Sequence, residues 1–309
     1  MNQPIISICI PTYSRAENLK ECLDGFVCQF KNQDISRQVE IIVSDNASED
    51  NTREVVEEFQ KQYSNIKYFR NDTNIGSSKN FLSALNKASG KYVWLFGDDD
   101  VVEKNSLKLI LRKIGAKNYS AILLNFSQGE HYNPRIKILN NSLRIFRDKE
   151  YPDSKLFFLG RDSKNFYGIN ALLAIILNRE EYQKNKEFIR EYLGTCYYQS
   201  YAFLITALTG PAFRIAKPLA IWRTNLKRRV DADGKENIDE RQQLFDYVKY
   251  AKKIGYEFNE EEFYATKDVF WVLKDKIFAF LIKYNLIKFA RPFYRAPRLM
   301  RYYFNKLKK

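Results

Sequence analysis

With 309 residues, 45% of them hydrophobic and 28% charged, the chain can build one large domain or two modest ones; collagen-like and wholly disordered readings are excluded. Lys and Arg number 51 against 37 Asp and Glu, a formal charge of +14, which points to an anionic partner such as membrane headgroups, nucleic acid or phosphorylated ligands. Ten of these excess charges lie in Lys276–Lys309, which has no acidic residue, so the first 275 residues carry only +4.

In chain order, Ile5–Ile10 is a short β-branched apolar run of the kind that is buried on both faces of a sheet. Ser14-Arg-Ala-Glu17 has capping-box spacing and precedes Leu19, Leu23, Phe26, Val27 and Phe30 at helical intervals. Val39–Val43 reads as a strand, Thr52–Tyr63 as a helix and Ile66–Phe69 as a strand. Ser77–Ala88 reads as a helix, Tyr92–Phe96 as a strand, Ser106–Ile114 as a helix and Ala121–Phe126 as a strand. This rhythm predicts a parallel sheet with helices on both faces. From about Ser127 to Arg223 it loosens; Leu172–Leu177 suits a strand and Tyr197–Leu208 a helix. Lys227–Glu240 is a charged stretch suited to a loop or boundary. Beyond it, Arg241–Ile254, Glu260–Tyr284 and the tail read as mostly helical.

Cys9, Cys22, Cys28 and Cys196 show no C-x-x-C spacing and no neighbouring His, so reduced thiols are expected rather than a zinc site or disulfides. No basic-then-apolar leader opens the chain, and Ile169–Leu177 and Tyr201–Phe213 fall short of the roughly 20 residues of a spanning helix. A cytoplasmic chain able to touch a membrane surface is the expectation.

Ligands of open α/β sheets sit beyond the carboxyl ends of the strands. There the sequence places Pro11-Thr-Tyr-Ser-Arg15, Ser44-Asp-Asn-Ala-Ser48, Asn71-Asp-Thr-Asn-Ile-Gly76 and Gly97-Asp-Asp-Asp100. Three adjacent carboxylates repel one another unless a cation or hydrogen-bond donors neutralise them, and oxygen-rich sites suit Mg²⁺ or Mn²⁺, above all when a diphosphate adds ligands. A solvated acidic turn capping the next helix is the alternative. Asp45 is read either as a carboxylate facing a nucleotide base or as the first residue of an Asx turn. Asn74-Ile-Gly76 suits a turn whose glycine lets the backbone approach a ligand. Lys79 and Arg15 suit a diphosphate or a solvated helix surface equally well.

Four segments taken together, Ile8–Arg15, Val39–Thr52, Asn74–Gly76 and Gly90–Asp100, resemble in order and spacing the family-2 glycosyltransferases with the GT-A fold, over about the first 125 residues. The Gly-Asp-Asp-Asp variant is similar to a bacterial, abequosyltransferase-like subset of surface-polysaccharide synthesis. The resemblance implies an α/β GT-A fold, with a Rossmann-like nucleotide-binding half and a mixed central sheet, followed by a mostly helical basic C-terminal region. The corresponding division is a GT-A domain over 1–225 (1–126 nucleotide-sugar-binding, 127–225 acceptor half) and a helical region over 226–309. It implies a nucleotide-sugar donor with Pro11, Thr12 and Tyr13 bordering the nucleoside, Asp45 facing the base and Asp98 near the ribose. Asp99 aligns with the usual metal-binding aspartate, and a literal Asp-x-Asp reading chooses Asp100. Gly97 stands where many relatives carry the first aspartate of that motif.

In this chemistry a divalent cation stabilises the leaving nucleoside diphosphate and a carboxylate takes the acceptor's proton. Glu191 is the positional candidate for that base and Asp162 the second; a surface carboxylate is the competing reading of Glu191. Gln199 stands where the related subset often carries a His, and glutamine cannot act as a base. His131, the only histidine, lies in the polar run Gln128–Asn133, where a loop is expected.

The tail interleaves its ten basic residues with aromatics such as Phe278, Tyr284, Phe293 and Tyr303, a composition suited to the anionic inner leaflet at about 1 kcal/mol per basic residue near the surface. Packing of the aromatics on the domain is the alternative. The partners expected are therefore a nucleotide-sugar donor, a glycan or lipid-linked glycan acceptor and the inner face of the membrane. A nucleic-acid-binding protein and an inactive GT-A scaffold are the competing readings. The first is disfavoured because the basic excess is confined to the tail, and no nucleic-acid partner is expected.

Overall fold

β1 (Ile6–Thr12) and β2 (Val39–Asp45) are buried along their whole lengths, as strands covered by helices on both faces must be. The computed structural model describes residues 3–132, 135–141, 147–153, 171–192, 198–208, 210–223 and 249–256. The chain divides into two units, Met1–Phe258 and Asn259–Lys309, and every described residue belongs to the first. The boundary expected at 225/226, Asp162 and the basic tail lie outside the described residues.

The elements that follow are α1 (Ala16–Val27), α2 (Gln33–Gln38), α3 (Thr52–Gln60), β3 (Ile66–Arg70), α4 (Ser77–Lys87), β4 (Tyr92–Leu95), β5 (Val101–Val102) and α5 (Ser106–Ala116). Then come β6 (Ala121–Tyr132), β7 (Arg135–Asn141), β8 (Lys149–Tyr151), a 3₁₀ turn at Leu172–Ala174, β9 (Ile175–Asn178), α6 (Arg179–Arg190), α7 (Tyr198–Ala207) and β10 (Ala212–Arg223).

The sheet runs β3-β2-β1-β4-β9-β6-β10-β5, with β7 on β6 and β8 on β10. The expected parallel sheet is present in β3-β2-β1-β4. Beyond β4 it becomes mixed. β9 is antiparallel to both β4 and β6, β10 is parallel to β6, and β5 is antiparallel to β10. The sheet is therefore mixed and the fold α/β, as the resemblance implies.

Alternation along β4 assigns the layers. Trp94 packs edge-on against Phe26 of α1 at 5.9 Å, and Phe96, the next residue of that parity, packs against both rings at 5.0 Å. Such pairs add about 0.5–1.5 kcal/mol each beyond area burial. Val93 and Leu95 point to the other face, where they line a small apolar cavity together with Leu85 of α4 and Ala202 of α7.

At the amino ends of the strands, buried Glu40 accepts hydrogen bonds from Ser7 Oγ, from the backbone and hydroxyl of Ser89 and from Gly90 N, and pairs with Lys67 at 2.6 Å. Gly90 is required there, because a Cβ would stand 2.7 Å from Ser7 N. Glu40 thus ties β1, β2 and the approach to β4 at the end opposite the polar rim.

Several expectations change. The Ser14–Glu17 capping box does not form. Ser14 is held in the left-handed region (φ 49°), at a cost of about 1–2 kcal/mol, with its N–H donated to Ser48 Oγ at 2.8 Å. Asp50, from the loop after β2, takes over the cap by accepting from Ala16 N at 3.0 Å. Leu172–Leu177 is a 3₁₀ turn followed by a strand, and the polar run around His131 is strand rather than loop, paired with β7. α2, α6 and the twelve-residue β10 are additions to the expected elements.

Candidate active site

The strand order reverses at β1, since β2 and β3 lie on one side of it and β4 on the other. This is the place where open sheets hold ligands beyond their carboxyl ends. Register aligns the rim: Thr12 pairs with Asp45, and Asp45 with Arg70.

Beyond β4 the chain turns back on itself, with Asp100 N donating to Gly97 O at 3.2 Å. Thr12 Oγ1 donates to Asp98 Oδ2 at 2.7 Å. A single atom, Arg15 Nη1, donates to Asp98 Oδ1 at 3.0 Å and to Asp99 Oδ2 at 2.9 Å. Gly97 leaves room for the neighbouring carboxylates. A Cβ there would stand 2.8 Å from Asp100 Oδ2 and 2.9 Å from Asp99 Oδ1, in space the carboxylates fill.

From behind, Arg223 closes the turn. Its N–H donates to Asp100 Oδ1 at 3.2 Å, its Nε donates to the Asp99 carbonyl, and its Nη1 pairs with Glu21 of α1. The guanidinium is 0% exposed, and its Nη2 has no partner among the described residues. Burial, outweighing Arg15, pushes the Asp98 carboxyl up to about 6. Burial and the neighbouring Asp99 raise Asp100 well above the usual carboxylate range. Beneath the turn, the Cys22 thiol faces Gly97 O, and burial followed by Asp98 raises it.

Asp45 is fully buried. Its Oδ1 accepts from Ser48 N at 2.9 Å and from Ser48 Oγ; its Oδ2 accepts from Tyr68 OH and from Arg70 Nη1 at 3.0 Å. Asp45 thus bonds the backbone three residues on, one further than an Asx turn reaches, and both oxygens are engaged within the protein. Burial and the Asp45 contact raise the Tyr68 phenol. The loop after β3 is pinned by amides. Asn46 donates to Asn74 Oδ1 at 2.6 Å and accepts from Ile75 N at 3.0 Å, while buried Asn80 donates to Ser44 O at 2.9 Å. Gly76 follows with φ 85°. Pro11 and Thr12 end β1; Tyr13 and Ile75 are exposed at this rim, and Lys79 is exposed on the first turn of α4.

Four of the rim residues are linked directly, Thr12 to Asp98 and Arg15 to Asp98 and Asp99, while the Asp100 carboxylate is turned to the backbone of Arg223; Asp45 ends the adjoining strand, and Asn74 and Gly76 lie in the loop after β3. Glu191 is not among them. It is exposed at the end of α6, beside Tyr192 and Tyr250, and no hydrogen bond or ion pair joins it to the triplet among the described residues. Gln199 falls in α7 and His131 in β6. Glu21 and Arg223 had gone unremarked in the sequence. Only the basic residue ending the apolar run Leu219–Trp222 hinted at the second.

Asp98 Oδ1 and Asp99 Oδ2 converge on one position, that of Arg15 Nη1, so the donor set at that point is two carboxylates. No group of three or more His, Cys, Asp or Glu side chains converges among the described residues. Two carboxylates do not make a zinc cage. They fit Mg²⁺ or Mn²⁺, which keep several waters and take further ligands from a diphosphate.

Residues 7–173 match the profile described as glycosyl transferase family 2. The chain is 30% identical over 264 residues to abequosyltransferase RfbV of Salmonella typhimurium, covering 80% of this chain and 74% of that one. It is 28% identical over 192 residues to the GalNAc(5)-diNAcBac-PP-undecaprenol beta-1,3-glucosyltransferase of Campylobacter jejuni, covering 62% and 57%. Among solved structures, S. aureus TarS 1-349 in complex with UDP-GlcNAc is similar in fold, with a TM-score of 0.58 at 18% identity over 80% of this chain and 65% of that one. The chain thus spans less than two thirds of the last two proteins.

Proposed function

The chain belongs to glycosyl transferase family 2, and from that footing we propose that it moves a sugar from a nucleotide-sugar donor to a hydroxyl of a lipid-linked glycan during synthesis of a bacterial surface polysaccharide. The observation that carries the donor side is the triplet turn at the β1/β4 reversal, clasped by Thr12 and Arg15. The relatives named for abequosyl and glucosyl transfer, the second acting on an undecaprenol-linked glycan, support the acceptor class.

In this reading Pro11, Thr12 and Tyr13 border the nucleoside, with exposed Tyr13 offering a ring face to the base. Asp45 acts chiefly by holding the Asp45–Ser48 loop, and any contact it makes with a base displaces one of its present donors. Thr12 and Arg15 hold Asp98 and Asp99 aimed at one point. Mg²⁺ or Mn²⁺ bound there would supply Lewis-acid stabilisation of the leaving diphosphate. Lys79, Asn74 and Gly76 are assigned to the far side of the diphosphate. The acceptor's proton goes to a carboxylate from the second half, with Glu191 and Asp162 as the candidates. The basic, aromatic tail would dock the enzyme on the cytoplasmic face of the membrane, where a lipid-linked acceptor is confined. Among the described residues no helix is long and apolar enough to cross a membrane.

Titration calorimetry with UDP, GDP, CDP and dTDP, each with and without Mn²⁺, tests the donor site. One nucleotide is expected to bind with Mn²⁺ and to lose that dependence in Asp99→Asn. No binding of any nucleotide would overturn the reading.

A further inference from the structure

Two arginines neutralise the triplet, and they are built differently. Arg223 stands behind the turn, 0% exposed and anchored to two other segments. Arg15 stands in front, 31% exposed, with one nitrogen between Asp98 and Asp99. Its backbone does not depend on that contact, because Asp50 caps the helix start at Ala16. The guanidinium can therefore leave the carboxylates while α1 stays folded.

The position of Arg15 Nη1 is also the one where the two carboxylate oxygens converge. A guanidinium nitrogen 2.9–3.0 Å from both oxygens and a metal ion at about 2.0–2.1 Å from its ligands cannot share it. The geometry points to Arg15 as an exchangeable counter-ion: it holds Asp98 and Asp99 together before the donor arrives, cedes their shared position to a divalent cation, and then binds the donor's diphosphate. This rests on the donor-site reading above and adds what the arginine does in it.

The charges follow a simple course. Two ionised carboxylates with one guanidinium carry a net −1, and replacing the guanidinium by a divalent cation brings them to zero. The released guanidinium then lies beside a diphosphate, whose paired oxygens suit its planar fork better than they suit an ammonium. Arg15 would thus oppose the cation when it comes alone and favour the diphosphate when both come together.

The test is a pair of titrations on wild type, Arg15→Gln and Arg15→Lys, with circular dichroism to verify the fold. Mn²⁺ alone is followed by the electron-spin signal of the free ion, and the nucleoside diphosphates UDP, GDP, CDP and dTDP are followed by calorimetry in saturating Mn²⁺. Removing a partly exposed competitor should tighten Mn²⁺ binding by Arg15→Gln about three- to fivefold. The same variant should bind the preferred nucleotide at least about tenfold more weakly, having lost a charge-assisted contact. Arg15→Lys should bind Mn²⁺ as wild type does and recover part of the nucleotide affinity. If both affinities fall together in Arg15→Gln, or neither moves, while wild type binds both ligands, this inference alone is overturned. A wild type that binds neither Mn²⁺ nor any nucleotide overturns the donor-site reading and this inference with it.

Discussion

Replacing Arg223 by Met removes a buried charge while keeping roughly the same volume, so the effect isolates electrostatics and hydrogen bonding. The Asp99 carbonyl loses the Nε donor, a charge-assisted bond worth about 1.5–3 kcal/mol. Asp100 keeps the backbone N–H of residue 223 but loses the nearest positive charge behind it. Glu21, with a side chain 47% exposed, rehydrates at little cost. Stranding a buried group in this way costs about 3–5 kcal/mol in general, and the lower end applies because only one of the partners is fully enclosed. At about 2–4 °C per kcal/mol for a domain of this size, the melting temperature should fall by about 6–12 °C. Arg223→Lys should recover less than half of this, since an ammonium cannot reach both Asp99 and Glu21 from one position. Differential scanning calorimetry measures the shift. A Met variant melting within about 2 °C of wild type would refute the assignment of Arg223 as the support of the turn.

Glu40 gives a pH-dependent prediction far from the site. Burial alone would raise its carboxyl, but the bonds from Lys67, Ser7 and Ser89 outweigh it and hold the group below its ordinary value of 4.5. A depressed value contributes stability above pH 4.5 that is lost as pH falls through the folded-state value. Urea unfolding should therefore find Glu40→Gln less stable than wild type by about 2 kcal/mol at pH 7, with the gap narrowing in acid; an equal gap at both ends would count against the staple. Gly97→Ala should turn the ends of the Asp99 and Asp100 side chains aside, at little cost in stability. Calorimetry should show Mn²⁺-dependent nucleotide binding lost or sharply weakened, and unchanged binding would show that the turn accommodates a side chain.

The first 126 residues are legible because their signals are local. A short apolar run followed by polar turn residues marks a strand end, and such ends in succession put Thr12, Asp45 and Asp98–Asp100 on one rim. The capping box failed for a reason no local pattern carries: Ser14 is drawn to Ser48 across the rim, and Asp50 supplies the cap from the next loop. β10 escaped because Lys217 and Pro218 interrupt its apolar pattern where the pairing with β6 slips register. α6 buries only Tyr182 and Ile189 among its charges, too sparse a stripe to stand out. Arg223 joins the site through bonds to Asp99 and Asp100 across 124 and 123 residues of chain, and Glu21 through Arg223 across 202, and spacing rules reach no further than one element.

The bond between Arg223 and Asp100 spans 123 residues, and this separation has a consequence for how the enzyme is made. At about 5–20 residues per second of synthesis, the strand that backs the acidic turn emerges roughly 6–25 s after the turn itself. During that interval β5 has no β10 to pair with, and Arg15, only 83 positions from Asp98 and already synthesised, is the arginine available to the carboxylates. A ribosome stalled before residue 212 would therefore display the acidic turn with Arg15 in place and Arg223 missing. The acidic turn and the strands that lead to it are continuous in sequence, but the completion of its support waits on translation of β10.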